Sequence, residues 1–278
     1  MDGFLLIDKP TGWTSFDVCA RLRKILNIKK IGHTGTLDPF ATGLLVVAVG
    51  RCTKLIPFLE KSKKTYVTKI LLDRTSPTLD PESEATLVKT VKVPSQKDIE
   101  VLLKKQFHGK ISQIPPQFSA IKIKGKKSCD VARSGGVVAI PPRETEIFHA
   151  KILSYEFPVV EIELEVAAGF YVRAFARDLG KALTGGGMCE SLRRTRVEEL
   201  SVEDAETIEH VTAPIDPAFI LKNFSQREIP TGRSQDFVAG RAFPFAGVGG
   251  EKFLVMVGKH ALGVGEIVCG NLQPRVVL

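Results

Sequence analysis

The sequence predicts a mixed α+β domain followed by a small β module. Three observations predict it. Strand-like and helix-like patterns both occur, interleaved, up to about Asn223. The clearest of them, Val160–Val166, places Val160, Ile162, Leu164 and Val166 on one face and Glu161, Glu163 and Glu165 on the other, a strand with one face wet. Past Asn223 the texture turns glycine-rich, with short β-type runs at Phe253–Val257, Gly263–Val268 and Arg275–Leu278. A chain of 278 residues suits one large domain or two unequal ones, and the texture divides it into 1–224 and 225–278.

Each element has its own signal. Phe4–Ile7 is a short apolar strand ending in the turn Asp8-Lys9-Pro10-Thr11-Gly12. Ser15 caps a helix running to about Leu26, whose apolar stripe reads Phe16, Cys19, Leu22 and Leu26, with Arg21, Arg23 and Lys24 toward its C-terminal end. Gly32–Gly43 is a Gly/Thr/Pro-rich loop, Leu44–Val49 a buried strand, and Tyr66–Leu72 another. The polar stretch Thr75–Glu84, with two prolines, reads as a surface loop. Ser95 with Asp98 opens a helix carrying Ile99, Leu102 and Leu103. Gly169-Phe170-Tyr171-Val172-Arg173 leads into a helix ending near Leu183.

Composition narrows the function classes. With 44% apolar and 25% charged residues the chain reads as an ordinary globular protein. Its longest apolar run, Leu44–Val49, is far short of the ~20 residues of a membrane span. Asp2, Asp8 and Lys9 break up the N-terminal apolar stretch, so no leader is visible. The five cysteines, at 19, 52, 129, 189 and 269, are scattered and include no CxxC, which reads as reduced thiols in a cytoplasmic protein. The five histidines show no metal-ligand spacing, and no phosphate-binding glycine loop, HExxH or GxSxG is present, so neither metal nor cofactor is expected.

The net charge of +8 suits a polyanion, and it is concentrated. Residues 104–133 carry eight Lys or Arg against one acid, Asp130. The densest part, Lys122, Lys124, Lys126 and Lys127 around Gly125, reads as a basic hairpin or loop tip able to lie along a phosphate backbone. A second basic stretch, Lys54, Lys61, Lys63, Lys64 and Lys69, encloses Tyr66, an aromatic able to stack on a base.

One segment is different in kind. Gly32-His33-Thr34-Gly35-Thr36-Leu37-Asp38-Pro39-Phe40-Ala41-Thr42-Gly43 sets one carboxylate and one imidazole on a backbone made irregular by three glycines and a proline. It closely resembles the defining motif of the TruB family, the tRNA pseudouridine-55 synthases. Gly3–Gly12 resembles that family's N-terminal strand and Lys-Pro turn. Lys64-Thr65-Tyr66, Pro115–Lys122, Gly169–Arg173 and Leu192-Arg193-Arg194-Thr195-Arg196 resemble its further motifs, all in family order over roughly residues 3–210.

The resemblance implies a mainly antiparallel catalytic sheet of pseudouridine synthase type, with a shortened PUA-like RNA-binding module at 225–278. It implies that Asp38 is the nucleophile, Arg173 the cation that keeps it ionised, and Tyr66 the aromatic against the target uracil. It implies that His33 enters the RNA loop and helps extrude the base, that Tyr171 and Leu192 line the pocket, and that Lys9 supports the site or a phosphate. The partner would be the T-arm and elbow of tRNA, bound by a monomer and gripped by Lys122, Lys124, Lys126 and Lys127. The competing function is a tRNA-binding folding chaperone with weak or vestigial catalysis. A guide-RNA-dependent relative shares the Asp loop, but the stretch at 75–84 and the small tail favour the stand-alone bacterial form. Three places depart from the family pattern: Cys129 and Phe118 stand where tyrosine is usual, and Asp73–Asp80 follows its motif only loosely.

Overall fold

The computed structural model describes residues 2–89, 92–119, 121–123 and 125–278, with the backbone but not the side chains of Lys122, Lys126 and Lys127. The chain starts with β1 (Gly3–Lys9), α1 (Ser15–Leu26), β2 (Ile31–His33), β3 (Thr42–Val49) and β4 (Lys64–Leu71). Among the described residues nine strands make one sheet. Its spatial order is β1, β3, Met188–Val197, β4, Val159–Val166, Arg143–Glu156 and Gly109–Gln113, with β2 and Leu200–Ser201 attached beside this path. Every pairing is antiparallel except where Arg193 and Arg194 run parallel to Thr42 and Gly43.

The two halves of the sheet are buried differently. On one half, the helices Gln96–Gln106 and Val172–Leu183 press Ile99, Leu103, Phe175 and Leu179 onto Ile70, Val160, Ile162 and Leu164. The other half is covered on both faces. Val18, Cys19 and Leu22 of α1 meet Leu5, Ile7, Leu45 and Val47, while Leu254, Met256 and Val264 of the C-terminal region meet Phe4, Leu6, Leu44 and Val46. Burial on both faces explains why Leu44–Val49 is an unbroken apolar run whereas Val160–Val166 alternates.

The C-terminal strands form a second sheet in the order Gln226–Glu228, Lys252–Val257, His260–Val268, Asn271–Val277 and Phe243–Pro244. Strand alternation gives it two faces. Phe253 and Val255 join Phe237, Ile267 and Leu272 in a local core, and Leu254 and Met256 face the large sheet.

Two local expectations are corrected. Phe16 is not part of the α1 stripe: it is 67% exposed, and Val18 is buried in its place. Steps of three residues each fall about 60° short of a full turn, so Phe16 lies roughly 120° around the helix from Leu22. The helix is also capped one residue earlier than expected, by a reciprocal Thr14–Asp17 capping box, which leaves Ser15 buried and free for another task. The second correction is Thr75–Glu84. It is not a surface loop: Ser76, Leu79 and Asp80 are buried, and the Leu79 carbonyl accepts from the Cys189 amide.

The basic hairpin forms as expected from its backbone, with Lys122 opposite Lys127, Ile123 opposite Lys126 and Gly125 at a left-handed φ of 83°. Lys124 lies outside the described residues, as do the side chains of its three neighbours.

Candidate active site

The Asp38 loop is held by the N-terminal turn and by α1. The Lys9 ammonium donates to the carbonyls of Pro10 (2.9 Å), Trp13 (2.5 Å) and Pro39 (3.2 Å). The Gly12 amide also donates to Pro39, and the Thr11 hydroxyl to Phe40. Ser15 Oγ bonds both the amide and the carbonyl of Leu37. Asp38 therefore sits between two residues whose backbone is clamped. Lys9 itself is fully buried, so it braces the loop and does not face outward to a phosphate. Burial pushes its ammonium down to about 8, and the nearby Asp38 charge opposes that fall.

The loop's far end is held by Arg194. This guanidinium is almost fully buried and donates to the carbonyls of Leu44 (2.7 Å) and Gly35 (3.2 Å). Gly43 is required here. Its φ is 99°, and a Cβ would stand 2.3 Å from the Arg194 carbonyl oxygen across the parallel pairing.

Asp38 meets Arg173 at 2.8 Å through Nη2. Arg173 is the second residue of the helix Val172–Leu183, and its side chain is only 6% exposed. It also donates to the carbonyls of Thr78 (2.9 Å) and Phe118 (3.0 Å). Its Nη1 lies 3.1 Å from Asp80, whose side chain is 1% exposed. One guanidinium thus holds two carboxylates. Asp80 is fixed in turn by the Thr78 hydroxyl and the Glu82 amide.

The two carboxylates differ in access. The Asp38 side chain remains 32% exposed, at the wall of a cavity of about 710 Å³. Enclosure in that wall raises its pKa above the ordinary carboxylate value. Arg173 opposes the rise and Asp80 adds to it. Asp38 is therefore accessible from the cavity, with the arginine holding its charge against the surrounding desolvation.

The same cavity is lined by Tyr66, Tyr171, Leu192 and His33, so all four of these predicted residues meet Asp38 and Arg173 there. Tyr66 arrives because Lys64, Tyr66, Thr68 and Ile70 share the buried face of β4. Tyr171 is placed by Gln113, whose side-chain amide bonds both its backbone N–H and its carbonyl. Burial raises the Tyr171 phenol above its ordinary pKa. Leu192 belongs both to the cavity wall and to the core beneath it. His33 ends β2; its Nδ1 is buried with no partner among the described residues, and burial together with Arg194 lowers its pKa. Phe118 and Cys129 also line the cavity.

Sequence reasoning missed Asp80, Gln113 and the bracing role of Arg194. The available signal for Asp80 was its place at the end of the blurred motif Asp73–Asp80. The basic stretch around Tyr66 is also less uniform than its composition implies. Lys64 is buried on the carbonyls of Glu60 and Ser62 and pushed down to about 8 by burial and Arg194, and Lys63 lies over the Phe148 ring. Among the described residues no group of three or more His, Cys, Asp or Glu could hold a metal ion, and no helix is long and apolar enough to cross a membrane.

Residues 23–172 match the family described as TruB family pseudouridylate synthase (N terminal domain). Among curated relatives, the tRNA pseudouridine synthase B of Trichormus variabilis is 35% identical over 299 residues, covering 100% of this chain and 98% of its own. That of Aquifex aeolicus is 35% identical over 288 residues, covering 100% of both. Among solved structures, one described as a Cbf5-Nop10-Gar1 complex superposes with a TM-score of 0.72 at 25% identity, over 96% of this chain and 78% of that one.

Proposed function

The chain belongs to the TruB family of pseudouridylate synthases, and from that premise we propose that it converts uridine 55 in the T-loop of tRNA to pseudouridine, with Asp38 as nucleophile and the target base flipped out of the loop. The observation that carries the reading is the accessible carboxylate of Asp38, held by buried Arg173 in a cavity that Tyr66, Tyr171 and Leu192 also line.

The reaction is an isomerisation. The N1–C1′ bond breaks, the base turns, a C5–C1′ bond forms, the C5 proton leaves and N1 takes one up. Atoms balance without oxidant, reductant or group donor. A carboxylate suits the step because it adds as an anion, at C1′ of the ribose or C6 of the base, and departs again. Arg173 supports it by keeping negative charge on Asp38 where desolvation opposes it. Tyr66 offers a ring for the extruded uracil, a contact worth roughly 1–3 kcal/mol. Such contacts offset the few kcal/mol of unstacking that extrusion costs. His33, in the wall of the same cavity, is suited to occupy space the base vacates. The protein acts as a cytoplasmic monomer, and the basic hairpin around Gly125 and the 225–278 module extend its hold along the tRNA.

Mapping pseudouridine in a tRNA transcript after incubation with the purified protein tests the assignment. Modification at position 55, absent in a transcript carrying cytidine there, is the expected result. Tight tRNA binding with no pseudouridine anywhere would replace it with the chaperone reading.

A further inference from the structure

The cavity does not use the outer face of α1, and that face is unusual. Phe16 is 67% exposed on the first turn of the helix. Arg23, two turns on, stands over its ring with the guanidinium carbon 5.5 Å from the centroid. Arg23 is itself anchored, because its Nη2 donates to the Ile31 carbonyl at 2.7 Å. An exposed phenylalanine on a helix surface ordinarily loses its free rotation for nothing. Here the ring is held under a fixed cation.

The position of this pair is as specific as its chemistry. Thr14, two residues before Phe16, lines the active-site cavity. Ser15, its neighbour, bonds the backbone of Leu37 next to Asp38. On the other side, Ile31 opens β2, which ends at His33 in the cavity wall. The Phe16–Arg23 pair therefore bridges two elements that both lead into the cavity. Arg21, Lys24, Lys29 and Lys30, on the same stretch of chain, are exposed. The one acidic side chain on this stretch, Asp17, is engaged in capping the helix.

We propose that Phe16, with Arg23 held over it, is a stacking platform at the cavity rim for a second, non-target nucleobase of the RNA substrate. This rests on the proposed function for the identity of that RNA. A π-face beside fixed positive charge fits an unpaired base with its flanking phosphates. Continuity with the cavity places that base in the same loop as the target uridine. The excess of cations selects a polyanion over a protein partner.

The test compares wild type with Phe16→Ala, Phe16→Leu and Phe16→Trp, reading tRNA Kd, single-turnover rate at saturating tRNA, and Tm. Loss of stacking weakens binding by about ten-fold in the Ala and Leu variants. The Trp variant binds at least as well as wild type. The saturated rate and Tm stay at wild-type values throughout, because Phe16 touches neither the reacting atoms nor the core. A Leu variant that binds like wild type overturns the platform, as does a lowered saturated rate with unchanged Kd. If the wild-type protein binds tRNA but forms no pseudouridine, the proposed function fails, and the Kd comparison still decides the platform. If it forms pseudouridine and the Leu variant binds normally, the platform fails alone. If the wild-type protein binds no tRNA, both fail.

Discussion

Two segments deliver a carboxylate to the same guanidinium, and they do so in opposite ways. The loop 34–41 brings Asp38 to Arg173 Nη2 and leaves its side chain 32% exposed to the cavity. The segment 73–88 brings Asp80 to Nη1 and leaves it 1% exposed, tied also to Thr78 and Glu82. The first carboxylate is open to the cavity, at a cost to its ionisation. The second is placed where nothing reaches it, and its work is to aim the arginine. The contrast shows that an ion pair's role is set by access and by its other partners, not by its distance.

Breaking the accessible half has the largest expected effect. Asp38→Asn removes the proposed attacking anion and is expected to lower the single-turnover rate by at least about a thousand-fold, while tRNA Kd changes little. The same variant should not weaken the fold. The folded-state pKa of Asp38 is raised, so its charge is disfavoured on folding. The stability of the protonated form is complete below the unfolded-state pKa and is lost as pH rises through the folded one. A neutral side chain avoids that loss, and thermal melts at neutral pH are expected to show Tm unchanged or up by about 1–2 °C. The gain should vanish in melts at acid pH, where wild-type Asp38 is itself protonated.

Breaking the buried half comes next, with the opposite sign on stability. Asp80→Asn leaves Arg173 with Asp38 as its one carboxylate and weakens a buried charged contact, at a cost of about 1.5–3 kcal/mol in denaturant unfolding. It also lowers the rate by about a hundred-fold through misplacement of the guanidinium. An Asp80→Asn protein with wild-type rate and stability would erase the distinction between the two carboxylates.

A pH profile sharpens the same comparison. Asp80 contributes to the raised pKa of Asp38, so removing that charge lets Asp38 ionise at lower pH. The acid limb of the rate profile is expected to move to lower pH in Asp80→Asn. A limb that stays in place, or moves up, would show that the two carboxylates do not sense one another.

The smallest effect concerns the clamp behind the loop. Lys9→Met keeps the packing but loses three hydrogen bonds to carbonyls, a cost of about 1–3 kcal/mol in chemical unfolding. With a folded-state pKa of about 8, Lys9 holds fewer protons than in the unfolded chain from there up to its ordinary value. It therefore adds stability as pH rises through that window. Stability measured across pH 8–10 should rise less steeply in Lys9→Met than in wild type.

The legibility of these parts follows from their physics. The Asp38 loop was readable because its backbone demands glycine and proline at fixed places, and those residues mark it locally. The alternation of Val160–Val166 was readable because one face is wet, and the double burial of Leu44–Val49 because both faces are dry. Asp80 was not readable. Nothing in Thr75–Glu84 announces burial, since its polar side chains satisfy one another and Arg173 arrives from 93 positions further along the chain. Lys9 was readable as a site residue but not as a clamp, because a buried lysine bonded to carbonyls has the same letter as a solvated one. Phe16 was misplaced for a related reason: an apolar letter near a helix start reads as core until the angle around the helix is counted.

The account rests most directly on Asp38 as the attacking group, and one measurement addresses it. Tritium release from C5-labelled uridine in tRNA, followed in a single turnover at saturating protein, compares wild type with Asp38→Asn. Release by the wild type and none by the variant, with both binding the RNA equally, is the predicted result. Release by Asp38→Asn at the wild-type rate would contradict the account and require another nucleophile in this cavity.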